Sequence, residues 1–122
     1  MKALSVAPVL RVSRLDEAVR HYTGVLGFKE DFRFGEYAGV TLGEATIHLC
    51  SHNFQERAIG QGAVFVFCDA IDGYCEEIRQ KGARIRVEPE DRPYGMRDFT
   101  VLDPDGNCLN FGCEVVKPQP TP

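Results

Sequence analysis

No stretch of this chain is apolar over anything near the roughly 20 residues a membrane helix needs, so no membrane-spanning segment is expected. Positive charge is in deficit, with 14 Lys and Arg against 18 Asp and Glu and a net charge of -4. Duplex binding draws most of its affinity from Lys and Arg on phosphates, so nucleic acid is not the expected partner; a cationic ligand is easier to accommodate. No CxxC pair is present, and the cysteines (Cys50, Cys68, Cys75, Cys108, Cys113) number five. An odd set without that spacing gives neither a disulfide framework nor a zinc ribbon, and most are expected to be small buried hydrophobes. The opening MKALSVAPVLRVSRLDE has one Lys and then an apolar run too short for the h-region of a signal peptide, which predicts a first strand and a cytoplasmic protein.

What is there is enough for one domain. At 122 residues, with 43% hydrophobic and 26% charged residues, the chain can bury roughly two thirds of its extended surface without staples. Its main feature is a repeat of about half the length. VLRVSRLDEAVRHYTGVLGFKEDF opens as a strand, then places Leu15, Ala18, Val19, Tyr22, Val25 and Leu26 at helical spacing, then returns to strand. VFVFCDAIDGYCEEIRQKGARIRV repeats the order, with Ile71, Tyr74, Cys75 and Ile78 as the stripe and Gly82 closing the helix. Ser13 with Asp16, and Asp69 with Asp72, are the expected helix caps. Each half ends in short strands: EYAGVTL and ATIHLCS, then RDFTVL and NCLNFGC.

The expected fold class is therefore α+β, two βαβββ modules forming curved sheets around a cleft, with the helices on the outer faces. One domain is expected over residues 1–116, with half-repeats at about 1–52 and 62–115, joined through SHNFQERAIGQG. The Pro-rich end, residues 117–122, reads as a mobile tail. Alternation along a strand separates Ala63, Phe65 and Phe67 from the smaller set Val64, Val66 and Cys68, and the smaller set suits the face beneath a helix.

The element order and two strings, PVLRVSRLDEAVRHYTGVLGF and YGMRDFTVLDPDGNCLNF, resemble the glyoxalase, bleomycin-resistance and extradiol-dioxygenase superfamily, known as vicinal oxygen chelate, over residues 3 to 115. Both strings look most like the bleomycin-resistance proteins. Enzymes of that superfamily hold a divalent metal with one ligand from each of four strands, and the resemblance carries those positions to Ala7, His48, Ala63 and Asn110. Two have no donor atom and Asn110 offers a neutral amide, whereas a catalytic metal needs about three protein ligands. The resemblance thus implies no metal, no cofactor and no catalytic residue here. His48 reads as a strand histidine hydrogen-bonded inside or beside the cleft rather than as a metal ligand. His52 lies four residues on, roughly 13 Å away along an extended strand, so the two cannot share an ion. His21, on the first helix, is expected at the surface.

Without a metal the cleft becomes an aromatic groove. Phe32, Phe34, Tyr37, Phe65, Phe67 and Tyr94 are its candidate walls, against the plainer reading of the phenylalanines as core. In the resistance proteins a flat drug tail lies between aromatic rings, and GEYAGV and RPYGMRDF put Tyr37 and Tyr94 at such places, Tyr94 where relatives commonly have Trp. The acids Glu30, Asp31, Glu36, Glu88, Glu90, Asp91 and Asp98 flank these rings and would attract a cation, although Arg11, Arg33, Arg92 and Arg97 are near enough in sequence to neutralise them. In the last hairpin, DPDG is a turn in which Asp103 and Asp105 accept hydrogen bonds, and nothing pairs a nucleophile with a base.

The expected ligand-binding set is Phe32, Tyr37, His48, Cys50, Phe65, Phe67, Tyr94, Gly95 and Asn110. The expected function is a metal-free protein that sequesters bleomycin-family glycopeptide antibiotics, free or metal-bound, in grooves of a homodimer, and so confers resistance. The alternatives are a metal-dependent glyoxalase- or dioxygenase-like enzyme using His48, and a non-catalytic relative that binds an unrelated metabolite.

Overall fold

The structure, a computed structural model, describes residues 1–53 and 56–115. The expected tail at 117–122 lies outside the described residues. Among these residues the elements run β1 (Val9–Arg11), α1 (Leu15–Gly24), β2 (Lys29–Phe34), β3 (Tyr37–Leu42), β4 (Ala45–Cys50), β5 (Ala63–Phe67), α2 (Ile71–Gln80), β6 (Arg84–Asp91), β7 (Met96–Leu102) and β8 (Cys108–Glu114). Each half is the βαβββ unit that the repeat predicts. The strands form two curved, unclosed four-stranded sheets, ordered β1-β4-β3-β2 and β5-β8-β7-β6. In each sheet the first strand of the half lies parallel to the last, and the other pairs are antiparallel.

Helix α1 packs on β2 to β4, and α2 on β6 to β8. The apolar stripes do the covering: Leu15, Ala18, Val19 and Tyr22 are buried on α1, and Ile71, Cys75 and Ile78 on α2. Beneath them lie the alternate strand residues Ala38, Val40, Ile47 and Leu49 in one half and Phe99, Val101, Leu109 and Phe111 in the other. Cys50 and Cys75 are buried, and the other three cysteines are partly exposed; all five are free thiols. No helix among the described residues is long and apolar enough to cross a membrane.

Neither expected cap forms. The residues before the helices are Arg14 and Ala70, and neither helix has a side-chain cap bond. The first-turn acids are drawn to arginines on the sheets instead. Asp16 pairs with Arg33, and Asp72 accepts two bonds from Arg97 at 2.8 and 2.9 Å, which hold its carboxyl below the ordinary range. A charge-assisted, two-pronged pair outcompetes a single backbone N–H for a carboxylate.

The halves share one core through contacts that the sequence did not announce. Tyr22 of α1 donates to Asp103 of the β7–β8 turn at 3.0 Å, and Tyr74 of α2 donates to the Leu26 carbonyl at 2.6 Å. Asn107 donates to the Arg11 carbonyl at 3.0 Å and accepts from the Gly62 N–H at 2.8 Å. His21 is not the surface residue expected: its Nε2 is buried without a partner, and burial pulls its pKa down. It stands beside Tyr22 at this junction, where the other half covers the flank of α1.

Candidate functional site

With one face of each sheet under a helix, the strand alternation sends every second side chain to the opposite, open face. Strand register arranges those residues in rows. On the first sheet Phe34, Tyr37, Cys50 and Arg11 stand side by side, and next to them Phe32, Gly39, His48 and Val9. On the second sheet the rows are Glu90, Asp98, Gly112 and Phe67, then Val87, Thr100, Asn110 and Phe65. Large apolar groups remain exposed on both: Phe34 at 85% and Phe67 at 78%, with Phe32 and Phe65 each at 39%.

The first face gathers three of the predicted residues. Phe32 stacks on Tyr37 with ring centroids 6.2 Å apart and planes 15° from parallel, and each meets His48 edge-on at 5.2 and 5.3 Å. The Tyr37 hydroxyl and His48 Nδ1 are hydrogen-bonded at 2.8 Å. Gly39 is the floor of this cluster, because a Cβ there would stand 2.2 Å from Phe32 Cε1. Cys50 lies beside Tyr37 but is buried, its thiol donating to the His52 carbonyl.

The second face repeats the device with other residues. Phe65 and Phe67 touch at 4.9 Å, and Phe65 lies across Gly112, where a Cβ would come within 2.5 Å of its ring. Asn110 accepts from Thr100 at 2.6 Å and donates to the Val64 carbonyl at 3.0 Å. Tyr94 and Gly95 lie in the loop between β6 and β7. Tyr94 is 66% exposed, and its hydroxyl donates to Asp98, which raises the phenol pKa. No ring contact joins Tyr37 to Tyr94, or one cluster to the other, among the described residues.

The sequence reading missed Gly39, Gly112, Thr100 and Val87. The two glycines become visible only through cross-strand register, and on the first sheet a bulge between Glu30 and Phe32 decides which residue faces Gly39. Most of the acids near the rings are paired. Arg33 meets Glu30 at 2.6 Å, Arg92 meets Glu90 at 2.9 Å and Asp98 at 2.7 Å, Arg97 meets Asp91 at 3.2 Å, and Arg79 meets Glu88. The free negative field over the faces is correspondingly weaker than the count of acids suggested. A cavity of about 830 Å³ opens elsewhere, between the β3–β4 turn and the start of α2, and among the predicted site residues Phe67 alone reaches it. The turn at Gly43 and Glu44 leaves this space, whereas Asp103 and Asn107 fill the matching place in the other half.

The four superfamily ligand positions do not fit a metal. Ala7 and Ala63 have no donor and the Asn110 amide oxygen accepts from Thr100, which leaves the imidazole of His48, bonded to Tyr37 through Nδ1, as the one good ligand of the four, too few for a catalytic ion. Among the described residues, no three His, Cys, Asp or Glu side chains are placed to hold an ion together.

Comparison with known proteins agrees with this architecture. The sequence pattern of the Glyoxalase/Bleomycin resistance protein/Dioxygenase superfamily matches residues 5–111. A probable lactoylglutathione lyase of Synechocystis sp. is 29% identical over 113 residues, covering 80% of this chain and 86% of the relative. The solved bleomycin-binding protein of bleomycin-producing Streptomyces verticillus, complexed with copper(II)-bleomycin, superposes with a TM-score of 0.73 at 26% identity, over 91% of this chain and 96% of that one. An antibiotic binding protein from Streptomyces sp. CB03234 shares the fold at a TM-score of 0.79 and 22% identity, over 94% and 100% of the two chains. The two sheets, the paired βαβββ units and the match across most of the length have one meaning: the chain belongs to the glyoxalase/bleomycin resistance protein/dioxygenase superfamily.

Proposed function

We propose that the chain is a metal-free, non-catalytic binding protein that captures bleomycin-type glycopeptide antibiotics and confers resistance by sequestration. The observation that carries this reading is the pair of open faces on which aromatic rings lie across glycines, while only His48 offers a good donor among the superfamily's four metal positions. A ring laid over a glycine presents a flat apolar plate, which suits offset stacking with a planar heteroaromatic tail. The 26% identity to a protein that binds copper(II)-bleomycin supports the same ligand class. In this reading each groove pairs the first face of one protomer with the second face of another, so two equal grooves form in a homodimer.

A second reading, a metal-dependent glyoxalase-like enzyme built on His48, has one finding in its favour, the 29% identity to a probable lactoylglutathione lyase. One experiment separates the two. Chelator-treated protein titrated with metal-free bleomycin should bind about one drug per chain, and added divalent ions should not change the affinity. Uptake of one divalent ion per chain, lost in His48→Ala, would establish the enzyme instead.

A further inference from the structure

We propose that Asp98 is a positioning residue which holds the Tyr94 ring over the open face of the second sheet, so that ligand capture by that ring depends on its hydroxyl. The proposal rests on the binding reading above and assigns the group that fixes one of its plates. Asp98 sits in the open-face row with Gly112 and Phe67, yet it is only 7% exposed. Both carboxylate oxygens are committed. Oδ1 accepts from Arg92 Nε at 2.7 Å, and Oδ2 accepts from the Tyr94 hydroxyl. Its charge is already balanced by Arg92 and its side chain is nearly buried, so its part is to place its donors rather than to meet a ligand cation directly.

Those donors are fixed from behind. Arg92 also reaches Glu90 at 2.9 Å and the carbonyls of Glu88 and Asp98, each at 3.2 Å, so the guanidinium cannot swing away and take Asp98 with it. The loop is pinned by Arg92 N–H to the Met96 carbonyl at 2.7 Å and by Val115 N–H to the Gly95 carbonyl at 3.0 Å. Tyr94 is thus a ring tied at its tip and at its backbone while largely exposed. Such a ring enters a complex with its rotamer already chosen, which lowers the ordering cost of binding. Asp98 and Phe65 both crowd the empty side of Gly112, so the carboxylate that ties Tyr94 stands on the same face as the Phe65 plate.

The test compares wild type, Tyr94→Phe, Asp98→Asn and the double variant. Tyr94→Phe removes only the hydroxyl. Asp98→Asn keeps the volume but leaves a single carbonyl oxygen for two donors. Calorimetric titration with metal-free bleomycin should show each single variant about 3- to 10-fold weaker, and the double variant no weaker than either single one, because all three lose the same bond. A readout independent of the drug comes from the chain's lack of tryptophan, which leaves tyrosine as the source of intrinsic emission. A phenol bonded to a carboxylate emits weakly, so Asp98→Asn should brighten the protein, and should fail to do so in the Tyr94→Phe background. Losses that multiply in the double variant, or full affinity in Tyr94→Phe, would overturn the proposal. Unchanged emission in Asp98→Asn would overturn it even if bleomycin proved not to bind. Brightening without drug binding in wild type would retire the binding reading and keep the tie.

Discussion

Gly39 and Gly112 show how much a missing side chain can place. Each lies under a phenylalanine ring, 2.2 Å and 2.5 Å from where its own Cβ would be, and neither has a backbone angle that requires glycine. Their absent side chains make room for Phe32 and Phe65 to lie flat. Gly39→Ala and Gly112→Ala should therefore leave stability within about 1 kcal/mol, since the rings are partly exposed and can swing aside while the unfolded chain loses some entropy. Drug affinity should fall roughly 3- to 10-fold as the stacking plate tilts. Calorimetric titration beside thermal melts checks both halves of that expectation, and a large melting loss with unchanged affinity would make the glycines packing devices. At this scale the sequence was only partly legible. Tyr37, His48 and Phe32 stood out as residue types, and they do lie in one cluster. Asp98 read as one acid in a run of acids, because its partners Arg92 and Tyr94 come together only through the β6–β7 loop.

Among the elements, the β7–β8 turn has the largest structural role. Its expected local task is met, since Asp103 Oδ1 accepts from the N–H groups of Asp105 and Asn107 at 2.9 Å each. The remaining oxygen does what no turn motif predicts, accepting from Asn107 Nδ2 at 2.9 Å and from Tyr22, across the junction between the halves. The DPDG string was readable because turn chemistry is local; the Tyr22 partner was not, because it lies 81 residues away. Asp103→Ala would leave these buried donors without an acceptor and should cost about 3 to 5 kcal/mol in urea unfolding, several times the loss from Asp105→Ala. The same junction gives an alkaline limit. Burial, and then Asp103, push the Tyr22 phenol well above its usual pKa, and burial raises Tyr74 likewise. The unfolded phenols ionise near pH 10, so the stability from keeping them neutral is full below about pH 10 and is lost as pH rises beyond it. Unfolding free energy should start to fall above about pH 8.5, where the unfolded thiols of Cys68 and Cys75 ionise while burial holds the folded ones neutral, and should fall more steeply beyond about pH 10 as the phenols follow. Tyr22→Phe should begin lower, by about 1 to 2 kcal/mol, and decline less steeply. An equal alkaline slope in the variant would exclude Tyr22 as its source.

For the whole molecule, the order of elements and the internal repeat were legible because hydrophobic periodicity records which face each element buries. What covers the open faces was not, because a single chain's pattern marks a face as apolar without naming its partner. Phe34, Phe67, Phe32 and Phe65, with Val9 and Val87 beside them in the rows, leave more aromatic surface uncovered than a monomer in water ordinarily keeps. A twofold dimer that sets the first face of one protomer against the second face of its partner would cover both sets twice and close two grooves. Solution mass at micromolar concentration should therefore be twice the 13.6 kDa of one chain. Phe67→Glu places a charge in such a seam without touching the helix-covered core, because Phe67 is 78% exposed in the single chain. It should lower the mass toward the monomer, keep the melting transition cooperative and abolish drug binding together with dimerisation. Phe34→Glu, at the rim of the first sheet, should act in the same direction. If Phe67→Glu stays dimeric and binds drug as tightly as wild type, the seam lies elsewhere; if it is monomeric yet still binds, one chain completes the groove alone.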